Sequence, residues 1–153
     1  MLLEPNPLNH CFGCGGANTR GMKLTFEQDD EARRIRGMFR LGGEYQGGPG
    51  FVHGGIIATV LDEVMAKVSR FANETAMTAQ LTVDYRKPVP LDEDLIVEGW
   101  EVERDGRNLK REGEIRDTSG VVLASARGHF KIVELGRLKA AGSKKTEVEN
   151  AGR

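Results

Sequence analysis

The residues best placed to do chemistry lie in one short stretch, His53-Gly54-Gly55-Ile56-Ile57-Ala58-Thr59-Val60-Leu61-Asp62-Glu63. Two glycines stand directly before a helical pattern, and an acid follows well inside it. A helix start carries backbone N–H groups without internal partners and a partial positive charge. Such donors suit a developing oxyanion, and one of them is typically worth about 3 kcal/mol in a transition state. A carboxylate activates water or attacks directly. An unperturbed Asp pKa near ~4 leaves it ionised at neutral pH even after some upward shift. The combination points to a site that polarises a carbonyl and attacks it.

The second chemical feature is His10-Cys11-Phe12-Gly13-Cys14-Gly15, which holds both cysteines of the chain. CxxC serves as a structural turn, as half a metal site, or as a redox pair. A structural zinc site needs four ligands. No second CxxC exists, so His10, His53 and His129 are the histidines available to complete one. No βαβ unit surrounds the motif to support redox chemistry. The three readings stay open, with the turn favoured.

The elements that must position these residues follow from pattern. Residues 1–21, rich in Gly, Pro and Asn, read as an irregular lead-in. Met22 to Glu27 alternates and reads as a strand, Gln28 to Glu31 as a turn, and Ala32 to Leu41 as a second strand. The glycine-rich segment 42–50 reads as a loop. His53 to about Phe71 is the one long helix. After it, Met77–Val89, Leu95–Arg104, Arg107–Asp117 and Val121–Val133 read as four lengths of antiparallel meander, with Asp105-Gly106 as a hairpin turn. A sheet of this kind must cover an apolar face. With one helix available, the expected fold is α+β, an antiparallel sheet wrapped around one long central helix. Residues 22–133 form that domain, and residues 134–153, poor in apolar area, read as a flexible tail.

Helical phase separates the two acids. Ile57, Val60, Leu61, Val64, Met65, Val68 and Phe71 form one broad apolar stripe. At the helical repeat, Asp62 falls about 130° from the stripe's centre, on a flank shared with the small residues Ala58, Ala66 and Ser69. Glu63 points further round, beside Thr59, Lys67 and Arg70, toward solvent or a second subunit.

Composition narrows the classes. The 153 residues fit one domain with a core large enough to need neither disulfide nor metal. A net charge of −1 gives no reason to expect nucleic acid as a partner. No apolar run approaches a membrane span, and the start MLLEPNPLNH lacks signal-peptide character, so the expected location is the cytoplasm.

These features resemble the hotdog-fold thioesterases, and the PaaI-like acyl-CoA thioesterase group in particular. The likeness rests on His53-Gly54-Gly55 followed by Asp62. It is supported by Tyr45-Gln46-Gly47-Gly48-Pro49-Gly50-Phe51-Val52 before that motif and Val83-Asp84-Tyr85-Arg86-Lys87-Pro88 after it. The resemblance covers about residues 10 to 133. It implies hydrolysis of a fatty or aromatic acyl-CoA to the acid and CoA, with no cofactor and no metal. Asp62 would be nucleophile or general base, the Gly55 N–H would polarise the thioester carbonyl, and His53 and Gly54 would shape the helix start. Thr78 matches a Ser or Thr that positions the attacking water in some members. The family often carries Asn or Gln in the loop before the glycines; Gln46 is the nearest candidate, one place off, with Gly47 in the matching position. Arg86, Lys87 and Glu63 are candidates for substrate contact, Arg86 and Lys87 through CoA phosphates.

Distance then bears on assembly. Gly55 and Asp62 lie about 10 Å apart along one helix, whereas one carbonyl needs a donor within ~3 Å of its oxygen and a nucleophile within ~3.5 Å of its carbon. Two helices from different subunits satisfy both. The expectation is a homodimer with shared active sites, and the family's habits extend this to a dimer of dimers. Two other classes compete: a hotdog protein that binds acyl-CoA without cleaving it, and a hotdog hydratase or dehydratase. Release of free thiol from acyl-CoA separates hydrolysis from both.

Overall fold

A computed structural model of the chain describes residues 1–139. It contains seven strands, β1 (Leu2–Leu3), β2 (Phe26–Asp29), β3 (Arg34–Phe39), β4 (Ala76–Tyr85), β5 (Leu95–Asp105), β6 (Asn108–Asp117) and β7 (Val122–Ile132), and one long helix, α1 (Gly54–Lys67). All strand pairs are antiparallel, in the order β1-β2-β3-β5-β6-β7-β4. Helix α1 lies against β3 through β7, so the sheet wraps the helix as the resemblance implies.

Close approach of helix to sheet has a visible cause. Gly99, Gly113 and Ala126 face one another across β5, β6 and β7. A first side-chain carbon at Gly99 would come within 3.1 Å of the Val64 carbonyl oxygen, and one at Gly113 within 3.3 Å of Met65. This row of minimal side chains is a trough in which α1 sits. Val60, Leu61, Val64 and Met65 are fully buried there, with Leu95, Leu109, Ile115 and Phe130 from the strands. The helical stripe read from the sequence is thus the core face, at roughly 1.5–3 kcal/mol per large side chain removed from water.

Several expectations need correction. Residues 22–25 are not strand, and the strand there is Phe26–Asp29. Lys23 has φ 52, a left-handed conformation, and the N–H groups of Met22 and Leu24 go to the Phe12 and Gly13 carbonyls instead of to a neighbouring strand. The turn therefore shifts to residues 30–33, with Arg33 at φ 56. The lead-in is not wholly irregular, since Leu2–Leu3 pairs with β2. The last turns of the expected helix tighten to a 3₁₀ segment, Val68–Ala72, ended by Asn73 at φ 49. Nor do the last four strands form a simple meander. β4 crosses to the far edge beside β7, and β5 returns to pair with β3. Residues 135–139 take a helical turn; the rest of the expected tail lies outside the described residues.

Candidate active site

The loop before α1 folds back on itself and delivers the helix start. Gln46 bridges to Val52, the Gly47 N–H donates to the Phe51 carbonyl (2.9 Å), and the His53 N–H donates to the Tyr45 carbonyl (2.8 Å). Gly47 is pressed so closely on His53 that a first side-chain carbon there would lie 2.8 Å from His53 Cα. That close approach admits only glycine at position 47. Gln46 turns its side chain inward on the loop, with Oε1 accepting from the Gly50 N–H at 3.2 Å.

His53 is the N-cap of α1. Its extended ψ of 137° ends the loop, its carbonyl accepts from Ile56 and Ile57, and its Nδ1 accepts from the Gly55 N–H at 2.9 Å. The donor assigned to the carbonyl is therefore engaged by the exposed His53 ring in this structure. Tyr85, at the end of β4, lies over the same turn, and its hydroxyl donates to the Gly54 carbonyl at 2.8 Å. The sequence pattern, which places Tyr85 only within the motif that follows the helix, did not announce this contact. The available signal was its place on the Leu81-Val83-Tyr85 face.

Asp62 sits two turns further along, half-buried. Thr78 Oγ1 donates to Asp62 Oδ1 at 2.6 Å. Burial, the largest influence, raises the Asp62 pKa; the Thr78 hydroxyl opposes this, and the nearby Glu63 charge reinforces it. No cation pairs with Asp62 among the described residues. A carboxylate in this setting is a stronger base than a solvated one.

A bulge brings Thr78 to it. Along β4, Leu81, Val83 and Tyr85 stand opposite the inward-facing Gly128, Ala126 and Ala124. Strict alternation would give Ala79 that face and turn Thr78 away. The register instead slips between Thr78 and Gln80, leaving Ala79 unpaired and setting Thr78 opposite the buried Phe130.

Glu63 departs from expectation. Its side chain is 14% exposed and faces neither solvent nor an open flank. It pairs with Lys67 at 3.4 Å and accepts from Cys11 Sγ at 3.6 Å, beneath the CxxC loop. Its place among substrate contacts is corrected accordingly, because the lead-in segment covers that face of α1. Arg86 and Lys87 leave the end of β4 exposed, their N–H groups both donating to the Leu123 carbonyl at 2.9 Å, and neither side chain joins an ion pair among the described residues. His129, on β7, meets Asn108 at 3.1 Å.

The family model of the thioesterase superfamily matches residues 49–124, which hold both the glycine pair and Asp62. The acyl-coenzyme A thioesterase THEM4 of Rattus norvegicus is 43% identical over 89 residues, 58% of this chain and 38% of that protein. Its namesake in Bos taurus is 31% identical over 102 residues, 67% of this chain and 41% of that protein. This chain thus spans less than half the length of the curated relatives it matches. Among solved structures, a thioesterase superfamily protein superposes with TM-score 0.75 at 35% identity, covering 80% of this chain and 60% of that one. A Streptococcus mutans protein bound to acetyl CoA superposes with TM-score 0.62 at 21% identity, covering 65% and 81% respectively. The chain belongs to the thioesterase superfamily and has its hotdog fold.

Proposed function

We propose that this protein is an acyl-CoA thioesterase of the PaaI-like kind, with Asp62 as the carboxylate that activates water or attacks the thioester carbonyl. The observation that carries the reading is Asp62 itself: half-buried, held by Thr78, without a counter-cation among the described residues and on the flank of the helix whose start supplies N–H donors. The names of the curated relatives support the activity. So does the acetyl CoA in the Streptococcus mutans structure. A thioester is a reactive acyl donor, so positioned water and one oxyanion donor are chemically sufficient. An arriving carbonyl oxygen takes the Gly55 N–H from His53, whose exposed ring swings away.

The active unit in this reading is a homodimer with shared sites. Among the described residues β4 closes the sheet with one neighbour, β7, and its Met77 and Tyr85 are about half exposed. A long edge strand of this kind is a template for a second copy. Joining two β4 edges would set the Thr78–Asp62 face of one subunit near the helix start of the other. The location proposed with this reading is the cytoplasm, and cell fractionation checks it.

Free-thiol release from a panel of short, long and aromatic acyl-CoAs, by wild type and Asp62→Ala, tests the function. Equal activity, or silence of both on every substrate, sinks it. Sharing is tested by mixing Asp62→Asn with Gly55→Pro, which removes the donor N–H. Shared sites regain part of the activity in mixed dimers. Two folded variants that never complement, or a sedimentation profile of monomer alone, overturn the dimer.

A further inference from the structure

Cys11, Cys14 and Glu63 meet across some fifty residues of chain, away from the Asp62–Thr78 pair. One ligand atom from each lies within 4.8 Å of the others. The loop is built for this meeting. Asn9 Oδ1 accepts the Cys11 N–H at 2.9 Å, the Gly15 N–H donates to the Cys11 carbonyl at 2.9 Å, and the Ala17 N–H donates to the Asn9 carbonyl at 3.0 Å. Gly13 and Gly15 leave no room for side chains: a first carbon at Gly13 would sit 2.6 Å from Glu63 Oε2, and one at Gly15 would strike Cys11 and Asn9 backbone. The N–H groups of Met22 and Leu24 then pin the loop's other edge through the Phe12 and Gly13 carbonyls. Such bracing fixes the two sulfurs before any ligand arrives.

We propose that Cys11, Cys14 and Glu63 bind one thiophilic divalent cation of the zinc class, tying the lead-in loop to helix α1. The donor set suits such an ion, since zinc takes Cys sulfur at ~2.3 Å and carboxylate oxygen at ~2.0–2.2 Å. Those lengths put neighbouring ligand atoms roughly 3.3–3.8 Å apart; Cys11 Sγ and Glu63 Oε2 already stand at 3.6 Å, and no pair of the three exceeds 4.8 Å. Charge closes as well. Two thiolates and one carboxylate around a divalent ion leave one negative charge, and Lys67 Nζ stands 2.8 Å from Cys14 Sγ to neutralise it. A water completes the fourth position. Cys11 is half-exposed and Cys14 buried, so the ion enters from the Cys11 side. Thiolate sulfur is the form that ligates such an ion.

The test is a cobalt titration of the reduced, metal-stripped full chain. The expected result is one ion per chain, a near-ultraviolet thiolate-to-cobalt charge-transfer band and visible bands of tetrahedral intensity, all reversed by zinc. Cys14→Ser should abolish the charge-transfer band, and Glu63→Gln should keep it with affinity reduced on the order of 10-fold or more. A second measurement needs no variant: zinc should protect both thiols of the wild type from alkylation. Absence of the charge-transfer band together with unchanged alkylation in zinc overturns the proposal. A cobalt spectrum that survives in the Cys11→Ser, Cys14→Ser double variant overturns it equally.

Discussion

Two corners of helix α1 each hold a charge away from water, and they are built oppositely. At the open flank, Asp62 has a hydroxyl for a partner and no cation among the described residues. At the far end, Arg111 of β6 is wholly buried and fully answered. Its Nη1 donates to the Met65 carbonyl at 3.0 Å, Glu101 and Glu74 lie at 3.3 and 3.4 Å, and the Phe130 ring lies 5.0 Å beneath. Arg104 clamps the same two acids, at 2.8 and 2.9 Å to Glu74 and 2.8 Å to Glu101. A buried charge with its complement anchors the end of a helix, where carbonyls lack partners. A buried charge without one remains reactive and costs stability. The first corner is the candidate for chemistry, and the second holds that candidate in place.

The largest expected effect breaks the open corner alone. Asp62→Asn should lower kcat/KM for acyl-CoA by about 10²–10⁴-fold, the usual range for removing a general base, without lowering the melting temperature. Loss of activity in parallel with loss of fold would make Asp62 structural and erase the contrast. The complementary experiment breaks the closed corner. Arg111→Met removes the side-chain donor to the Met65 carbonyl, which keeps only the Val68 N–H, and unbalances Glu74 and Glu101; it should cost about 3–5 kcal/mol in urea unfolding. At temperatures where that variant stays folded, it should retain most of its activity per folded molecule.

Legibility in the sequence divides along the same line. Asp62 was readable because helical phase alone sets it on the flank with Ala58 and Ala66. The core stripe was readable for the same reason. Thr78's orientation was hidden, because the bulge at Ala79 reverses the alternation that Leu81, Val83 and Tyr85 establish. Glu63's partners were hidden too, since nothing local announces a loop fifty residues upstream. Strand order was beyond pattern: adjacent strands in sequence need not pair, and β4 does not pair with β5. Arg111 is different again. Its alternation with Leu109, Gly113 and Ile115 marks an inward position, but a charged residue in a polar run reads as surface until the acids that answer it are known.

A smaller effect sharpens the open corner. Thr78→Val keeps the shape and removes the O–H donor. Burial and Glu63 then act on Asp62 unopposed, and its pKa rises further. The acid limb of the kcat/KM profile should move to higher pH, with about a 3- to 10-fold loss at neutral pH, within the worth of one hydrogen bond to a charged group. An unmoved limb would mean that Thr78 does not act through the Asp62 carboxylate.

The smallest effect is in stability, and there the two corners should differ in sign. Asp62 has a raised pKa in the folded chain, so folding favours its protonated form. Its contribution is present below the unfolded value and lost as pH rises through the folded one, which leaves a penalty at neutral pH. Glu74 has a lowered pKa, chiefly through its hydrogen bonds from Arg104. Its contribution is present above the unfolded value and lost as pH falls through the folded one. At pH 7, Asp62→Asn should therefore stabilise the fold, and Glu74→Gln should destabilise it, each on the order of 1 kcal/mol. Both differences should shrink toward zero in acid, where all four carboxyl states are neutral. The measurement is denaturant unfolding of wild type and both variants across the acid range. Two differences of the same sign at neutral pH would show that the Asp62 carboxylate has a hidden complement, and the distinction between the corners would fall.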